Sequence, residues 1–444
     1  MSAEDSDTGL NAVADGAASI AGTLAGAGIR VEDVEGHAAK SGVAALAVSM
    51  WFAYLNEAAL MFEQGYATRD DIDAAMRFGC GYPVGPLRLL DEIGIDKAVA
   101  VLEALHELSG DPRHHPSATL TERVASGAIG RIVGRGFYQY AQPDSDEVTD
   151  AQPAKRAAGS TRPVKQVGVV GTGTMATGII EVFAKAGFDV TFVARSEEKA
   201  AAVVAALTKS LDRAVGKGRM VASDRDATLV RVTAATAVDA VAGVDIVIDA
   251  IVEDLEIKQE LFIALDAVCK PGAILATTTS SLSIAQIARV TARPADVIGM
   301  HFFNPATLMK LVEVVTTTET AADVTQTVID LCARTEKAAV LCGDRAGFIV
   351  NFLLFPYLND AVLAVDAGLA TVEAFDPLIK NWQRVPMGPF SLLDVVGNDV
   401  SLAIEETIYR AFGDKCYRPA KGLKKIVMKG DLGRKTGAGF LTYD

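Results

Sequence analysis

The sequence predicts three domains: one α/β domain built on a parallel sheet, and two related all-α domains that precede and follow it. Three observations support this fold class. From Val164 onward, short apolar segments alternate with helix-like segments, which is typical of a parallel α/β sheet. Segments 54–140 and 357–443 align without a gap at an offset of 303 positions, with 31 identities in 87 positions. In both aligned segments, apolar residues recur at helical spacings.

The composition argues against several classes of protein. The chain has 444 residues, half of them hydrophobic, which is too long for one ordinary domain. Its formal net charge of −14 argues against a nucleic-acid partner, because such proteins usually present a basic face. An odd number of cysteines without paired spacing predicts reduced thiols. We find no signal peptide and no apolar run approaching about 18 residues, so we expect a cytoplasmic protein without a membrane span.

The repeated segment is interpreted as a duplicated domain, and each copy ends in the same GRxxGxGF pattern. Two copies are too few for a solenoid. After copy one, residues 141–162 lack large apolar side chains, which predicts a flexible linker. The expected division is a loose N-terminus at 1–17, helical copy one at 18–140, the linker at 141–162, the α/β domain at 163–345 and helical copy two at 346–444.

The first turn of the α/β domain reads GTGTMATG, from Gly171 to Gly178. It follows a predicted strand and opens a predicted helix. Loop glycines let the backbone approach a pyrophosphate, and the helix N-terminus offers free N–H groups to it. We therefore predict a Rossmann-type dinucleotide-binding domain, rather than an ordinary glycine turn. The loop residues expected to contact the cofactor are Gly171, Gly173, Thr174 and Met175.

The end of the second predicted strand bears on the choice of cofactor. An acidic residue there would bond the ribose 2′-hydroxyl of NAD, but this chain has Ala194. Arg195 and Ser196 follow, and their side chains can bind a 2′-phosphate. This favours NADP over NAD. The alternative is that a neighbouring acid such as Glu197 binds the ribose of NAD from one turn away.

A histidine and a glutamate in the α/β domain are candidates for proton transfer. His301 lies beside a predicted strand end, where ligands of α/β sheets bind. Glu313 is an acid in an otherwise apolar strand, and a buried carboxylate needs a partner. A histidine held by such a carboxylate can act as a general acid and base. The alternative is a structural histidine and a solvated glutamate. No clustered set of His or Cys ligands is present, so we expect no metal ion.

Residues 164–444 resemble the 3-hydroxyacyl-CoA dehydrogenase family. The motifs that carry the resemblance come in family order: GTGTMATGI, AIVEDLEIK, TTTSSLSI, GMHFFNPATLMKLVEVV, DRAGFIVN, PMGPFSLLD and GRKTGAGF. The resemblance implies an enzyme that interconverts 3-hydroxyacyl and 3-ketoacyl thioesters with NAD(P). It also implies a C-terminal helical domain of the kind that commonly makes the dimer contact.

The resemblance implies roles for individual residues. His301 is expected to be the catalytic acid and base, with Glu313 orienting it. Ser280 and Asn351 are expected to bind the substrate at the reacting oxygen. Three further positions are implied, namely Asn304 for the substrate and Glu253 and Lys258 for the cofactor.

A basic helix face adds a candidate site for substrate phosphates. Lys209, Arg213 and Lys217 recur at every fourth position of a predicted helix. They could hold the phosphates of CoA or of a carrier-protein arm, or they could form a solvated charged face.

Copy one lacks this chemistry, because Val48 stands where copy two has Asn351 and no cofactor loop precedes it. We expect copy one to be non-catalytic and to imitate the second subunit of the family's dimer, as an internal pseudo-dimer in a monomer or homodimer. The expected substrate is an acyl-CoA. The alternatives are an acyl group on a carrier protein, a non-thioester hydroxy acid, or a non-catalytic binding protein that kept the fold.

Overall fold

The computed structural model describes residues 4–26, 41–151 and 160–443. These residues form two compact units. The helical unit contains the described residues up to 151 together with those from Ile349 onward, and the sheet unit contains residues 160–348.

The described residues before 152 contain seven α-helices. They are α1 (Glu4–Asp15), α2 (Ala17–Gly26), α3 (Ser41–Glu63), α4 (Arg69–Cys80), α5 (Pro86–Ile93), α6 (Ile95–Ser109) and α7 (Ala118–Ala125). Within the described residues, α3 alone has the length and composition of a membrane span, over Gly42–Glu63 with a mean hydropathy of 1.4. The expectation of no such segment was therefore wrong. However, 89% of that window is buried inside the protein, as in the core helix of a bundle.

The predicted loose N-terminus is also wrong for the residues described. Residues 4–15 form α1, which packs against α3 and α6, and α2 packs against the same two helices. The small residues of α1 and α2 allow this close approach, and Val13, Ile20 and Leu24 are buried in the core. Residues 27–40, which the prediction assigned to copy one, lie outside the described part of the chain.

The first half of the predicted linker is ordered against copy one. Asp150 pairs with Arg69 (Oδ2 to Nη1, 2.8 Å) and accepts a hydrogen bond from the Gln139 N–H. Residues 152–159 lie outside the described part of the chain. Beyond them, the Arg162 guanidinium pairs with Asp296 and Asp323 of the sheet unit. The linker prediction is therefore wrong for residues 141–151, because composition does not report the ion pair that orders them.

The sheet unit is a single eight-stranded sheet covered by helices. Its strands are β1 (Gln166–Val170), β2 (Asp189–Val193), β3 (Val232–Ala235), β4 (Ile246–Asp249), β5 (Ile274–Thr277), β6 (Val297–Phe302), β7 (Leu311–Thr316) and β8 (Ala338–Gly343). Its helices are α8 (Thr174–Lys185), α9 (Glu197–Gly216), α10 (Ala222–Val230), α11 (Leu255–Val268), α12 (Ile284–Ala288) and α13 (Ala322–Arg334). The strand order is β3-β2-β1-β4-β5-β6-β7-β8.

The sheet departs from the predicted parallel arrangement at one point, because β7 runs antiparallel to β6. The connection between them, residues 303–310, contains no helix and is too short for a parallel crossover, which needs a dozen or more residues. The remaining neighbours are parallel. This reversal places a side chain of β7 directly opposite one of β6.

Copy two contains five helices: α14 (Val350–Asp366), α15 (Val372–Trp382), α16 (Pro389–Val396), α17 (Asn398–Phe412) and α18 (Lys421–Lys429). They correspond in order to α3–α7. The fold class predicted from the sequence, an α/β dinucleotide-binding domain with two related helical domains, is confirmed.

A buried aspartate explains why both copies end in the same pattern. Asp91 accepts hydrogen bonds from the N–H groups of residues 137 and 138 and from the Tyr140 hydroxyl. Asp394 makes the matching three bonds to residues 440, 441 and Tyr443. A Cβ at Gly136 or at Gly439 would lie 2.0 or 1.9 Å from the aspartate oxygen, so only glycine fits. The repeated ending is a loop folded over one carboxylate.

The two copies face each other within the helical unit. α3 packs against α14 and α15, and α14 packs in turn against α3 and α4. The rings of Tyr54 and Tyr357, which are equivalent positions, lie 6.1 Å apart. Arg113 of copy one pairs with Asp360 of copy two at 2.9 Å. Equivalent elements of the two copies therefore contact each other within the helical unit.

Candidate active site

The glycine loop after β1 has the shape of a dinucleotide site. Gly171 has a φ of +138°, and a Cβ there would lie 2.4 Å from the carbonyl oxygen of Ala250. A Cβ at Gly173 would meet nothing within 4 Å, so the loop is open on that side. Gly173 also precedes α8, whose first turn receives no hydrogen bond from a capping side chain. These residues fit the pyrophosphate of a dinucleotide, since the N–H groups of the turn are available to it.

The residues after β2 occupy the place where a ribose would bind. Ala194 is buried and its N–H bonds to the Ala235 carbonyl oxygen at 2.8 Å. Arg195 and Glu197 are exposed. The Ser196 hydroxyl caps α9 by accepting from the Lys199 N–H at 3.2 Å, and it can still donate its own proton.

His301 and Glu313 form a buried pair on two neighbouring strands of the sheet. They lie directly opposite each other in the antiparallel register of β6 and β7. Nδ1 of His301 lies 2.6 Å from Oε2 of Glu313, and the two residues are 5% and 0% exposed. This bond engages Nδ1, so Nε2 is the nitrogen that can exchange a proton with a substrate. Both residues were found from sequence; their direct contact was predicted and is present.

Two aromatic rings lie beside the imidazole of His301, and a lysine fixes the loop that follows its strand. The ring of His301 lies 4.6 Å from that of Phe303 and 5.6 Å from that of Phe348. Lys337 donates to the carbonyl oxygens of Ala306 and Met309, which fixes the loop after β6. The sequence analysis did not predict this role of Lys337, because its neighbours in sequence do not indicate which carbonyl groups its ammonium group contacts. Asn304, expected to contact substrate, lies exposed in this loop with a cis peptide bond to Pro305.

Glu253 organises the loop that carries Ser280. One oxygen, Oε1, accepts from the Thr279 hydroxyl at 2.6 Å, from the Ser280 N–H at 2.8 Å and from the Ser281 N–H at 3.2 Å. The carboxylate was expected to touch the cofactor. The structure shows that its nearest partners are the backbone and hydroxyls of residues 279–281.

Lys258 lies inside the sheet unit rather than on its surface. Its ammonium group pairs with Asp249 at 2.7 Å and lies 3.9 Å from Oε2 of Glu253. Asp249 also accepts from the Thr277 hydroxyl at 2.8 Å. Because Lys258 is 0% exposed, the expected direct contact with a cofactor does not fit this position. Asp249 was missed from sequence, although an aspartate at the end of an apolar strand is a visible signal.

The remaining predicted residues are distributed more widely. Asn351 lies in the first turn of α14, in the helical unit, and is 6% exposed. Lys209 and Arg213 are exposed on α9, and Lys217 is exposed just after that helix. Among the residues that the structure describes, no group of three or more His, Cys, Asp or Glu side chains is arranged to hold a metal ion.

Comparison with known protein families identifies the family to which this chain belongs. The family sequence model for the NAD-binding domain of 3-hydroxyacyl-CoA dehydrogenase matches residues 166–345. The model for the C-terminal domain of the same enzymes matches twice, at residues 47–140 and 347–443. The chain belongs to the 3-hydroxyacyl-CoA dehydrogenase family. It is therefore an oxidoreductase with an NAD(P)-binding domain, as the resemblance implied.

Each of three relatives of this dehydrogenase matches somewhat less than two thirds of the chain. A 3-hydroxybutyryl-CoA dehydrogenase of Clostridioides difficile is 41% identical over 279 residues, which cover 63% of this chain and 99% of the relative. The human mitochondrial hydroxyacyl-coenzyme A dehydrogenase is 38% identical over 287 residues, 63% of this chain and 91% of that one. The crystal structure of (S)-3-hydroxybutyryl-CoA dehydrogenase from Ralstonia eutropha gives a TM-score of 0.62 at 36% identity, covering 64% of this chain and all of that one.

Proposed function

We propose that this dehydrogenase interconverts 3-hydroxyacyl-CoA and 3-ketoacyl-CoA thioesters of the acetoacetyl-CoA and 3-hydroxybutyryl-CoA type. The observation that carries the proposal is the buried His301–Glu313 pair, 2.6 Å apart, in a domain that also has a dinucleotide loop. Relatives named 3-hydroxybutyryl-CoA dehydrogenase at about 40% identity support the substrate class.

In this proposal the protein's own task is to move one proton. A bound nicotinamide cofactor supplies or accepts the hydride at the 3-carbon. In reduction, Nε2 of His301 donates its proton to the 3-oxygen, and in oxidation the neutral imidazole accepts the hydroxyl proton. Glu313 holds Nδ1, which fixes the tautomer and stabilises the imidazolium form.

Ser280 is proposed to bind the reacting oxygen. Its support is the network around Glu253, which fixes the backbone at Ser280 through the N–H bond of 2.8 Å. Behind it, the buried ion pair of Lys258 and Asp249 keeps an ammonium group near the second oxygen of Glu253. We assign Lys258 and Asp249 a positioning role for this loop. For Asn304 and Asn351, and for the basic face of Lys209, Arg213 and Lys217, the proposed contacts with substrate stay predictions from sequence.

The proposed cofactor contacts involve Gly171, Gly173, Thr174 and Met175 for the pyrophosphate. For the ribose we propose NADP, because Ala194 supplies no carboxylate and the exposed Arg195 can pair with a 2′-phosphate. The test compares NADPH and NADH in the reduction of acetoacetyl-CoA under identical conditions. A higher kcat/KM for NADPH supports the proposal, and loss of that preference in Arg195→Gln assigns it to the guanidinium. A preference for NADH contradicts the NADP proposal and points to Glu197.

A non-thioester substrate is the second candidate. A solved diketoreductase, described as acting on dicarbonyl compounds, has a TM-score of 0.57 at 26% identity and covers 64% of this chain. Comparing acetoacetyl-CoA with free acetoacetate and a simple diketone separates the candidates. Turnover of the diketone but not of acetoacetyl-CoA would favour the second.

We also propose that copy one replaces the second subunit of a dimer and is itself non-catalytic. The support is the reciprocal packing of α3 and α14, with Arg113 on Asp360 and the Tyr417 hydroxyl 3.2 Å from Glu57. These contacts already cover the face of α14 in one chain. Sedimentation of the full chain should give the monomer mass of 46.6 kDa. Deletion of residues 1–150 that leaves the oligomeric state and the solubility unchanged contradicts this proposal.

We propose a cytoplasmic location because the cysteine thiols are reduced. No disulfide joins the cysteines at positions 80, 269, 332, 342 and 416, as is usual in a reducing compartment. Cell fractionation tests it, and recovery of the protein in an oxidising compartment contradicts it.

A further inference from the structure

The segment from Arg410 to Lys435 in copy two is strongly basic in an acidic protein. It contains nine Lys and Arg residues and only two acidic ones, whereas the whole chain has a net charge of −14. The corresponding segment of copy one, residues 107–132, has three Lys and Arg residues and three acidic ones. Both segments have the same fold, so folding does not require the charge. This comparison within one chain indicates that the basic surface has a task of its own.

Helix α18 is the centre of this surface. Its inner side is used for packing, since Leu423 is fully buried. Its outer side forms a stripe that we call the basic stripe, defined by Lys421, Lys424, Lys425, Met428 and Lys429. The equivalent positions in copy one are Ala118, Thr121, Glu122, Ala125 and Ser126. The stripe is therefore absent from copy one at every position.

The charges of the basic stripe are largely available to a partner. Lys421 and Lys425 are exposed and form no ion pair with another described residue. Lys424 and Lys429 have only surface partners, Glu406 at 3.6 Å and Asp431 at 2.5 Å. Exposed pairs of this kind contribute little and exchange readily.

The shape and chemistry of the stripe suit a protein rather than a small anion. It runs over about 12 Å of a convex helix, at 1.5 Å per residue, whereas small ligands bind in concave sites. Met428 is 87% exposed among the lysines, and methionine is enriched at protein interfaces. A membrane surface fits less well, because the buried Leu423 leaves α18 without a free apolar face.

We propose that the basic stripe of α18 docks an acidic carrier protein that presents the acyl group as a thioester. This inference rests on the proposed function, in which the substrate is an acyl thioester. Charge complementarity would raise the association rate of the acidic partner and orient it on copy two. The stripe then serves recognition of the carrier and not the reaction itself.

The experiment uses the full chain and two substrates, acetoacetyl-CoA and the same acyl group on an acidic acyl carrier protein. The test variant is Lys421→Glu with Lys425→Glu. The control variant is Lys97→Glu with Lys380→Glu, which makes the same charge change at exposed sites on α6 and α15. We expect the test variant to lose about tenfold in kcat/KM for the carrier substrate at low salt, with acetoacetyl-CoA unchanged. The control variant should match the wild type with both.

Several results would overturn the docking proposal. The first is an equal kcat/KM for the carrier substrate in the test and control variants. The second is an equal loss of kcat/KM with acetoacetyl-CoA in the test variant, which would assign the stripe to CoA phosphates. The third is turnover of acetoacetyl-CoA without turnover of the carrier substrate. Binding to phosphatidylserine vesicles that only the test variant loses would also overturn it, in favour of a membrane. If neither thioester is turned over, the proposed function fails. Titration calorimetry with the carrier then decides docking alone: weaker binding by the test variant supports it, and no binding by the wild type overturns it.

Discussion

Replacing Glu313 with glutamine tests whether the buried pair drives proton transfer. The substitution keeps the size of the side chain and removes its charge, 2.6 Å from Nδ1 of His301. A hydrogen bond to a charged group contributes about 1.5–3 kcal/mol, and a charge left unpaired in the interior costs about 3–5 kcal/mol. Taking about 3 kcal/mol for the imidazolium form gives a fall of about 150-fold in kcat.

The assay follows oxidation of the reduced cofactor by acetoacetyl-CoA for wild type and Glu313→Gln. The KM for acetoacetyl-CoA should change little, because Glu313 is fully buried and acts through His301. Glu319→Gln is the matched control, since Glu319 is exposed after β7, and it should retain full activity. A kcat for Glu313→Gln within threefold of wild type, in protein that binds cofactor normally, would refute the reasoning.

Three further predictions concern the cofactor loop, the buried ion pair and a buried histidine. Gly171→Ala should abolish dinucleotide binding, measured by cofactor fluorescence, because its Cβ would lie 2.4 Å from the Ala250 carbonyl oxygen. Lys258→Met should lower the Tm by about 10 °C, because Asp249 would remain charged and unpaired in the interior. Burial lowers the pKa of His114 to about 4, so the folded state binds fewer protons than the unfolded state as the pH falls from about 6.5. The free energy of unfolding should therefore drop by about 2 kcal/mol between pH 7 and pH 5, and His114→Gln should remove that part of the slope.

Each of these predictions has a result that contradicts it. Normal dinucleotide affinity in Gly171→Ala would show that the turn can shift. A Tm for Lys258→Met within 2 °C or so of wild type would show that the fold accommodates Asp249 without its lysine partner at little cost. An unfolding curve of His114→Gln with the same pH slope as wild type would assign that slope to other groups.

The parts of the site that could be predicted depend on local sequence. The glycine loop at 171–178 lies between adjacent elements, so its spacing alone indicates its shape. His301 and Glu313 lie 12 residues apart, on two strands joined by one short connection. An acid in an apolar strand is also a strong signal by itself. The duplication was visible because the two copies keep one register over their whole length.

What could not be predicted depends on contacts between distant segments. The antiparallel course of β7 follows from the short connection after β6, and its length could have indicated the reversal. The burial of Lys258 depends on Asp249, on another element, and the ordering of residues 141–151 depends on Arg69. The resemblance implied a cofactor contact for the first, and composition predicted a flexible linker for the second. Neither reports which partners the fold brings close.

The most direct test of the proposed reaction identifies the product. The full chain is incubated with reduced cofactor and acetoacetyl-CoA, beside His301→Gln that is shown to bind the cofactor. We expect one 3-hydroxybutyryl-CoA for each cofactor oxidised by the wild type, and a rate at least about 100-fold lower in the variant. Absence of the product in wild-type protein that binds cofactor, or an undiminished rate in His301→Gln, would contradict the assignment of this site.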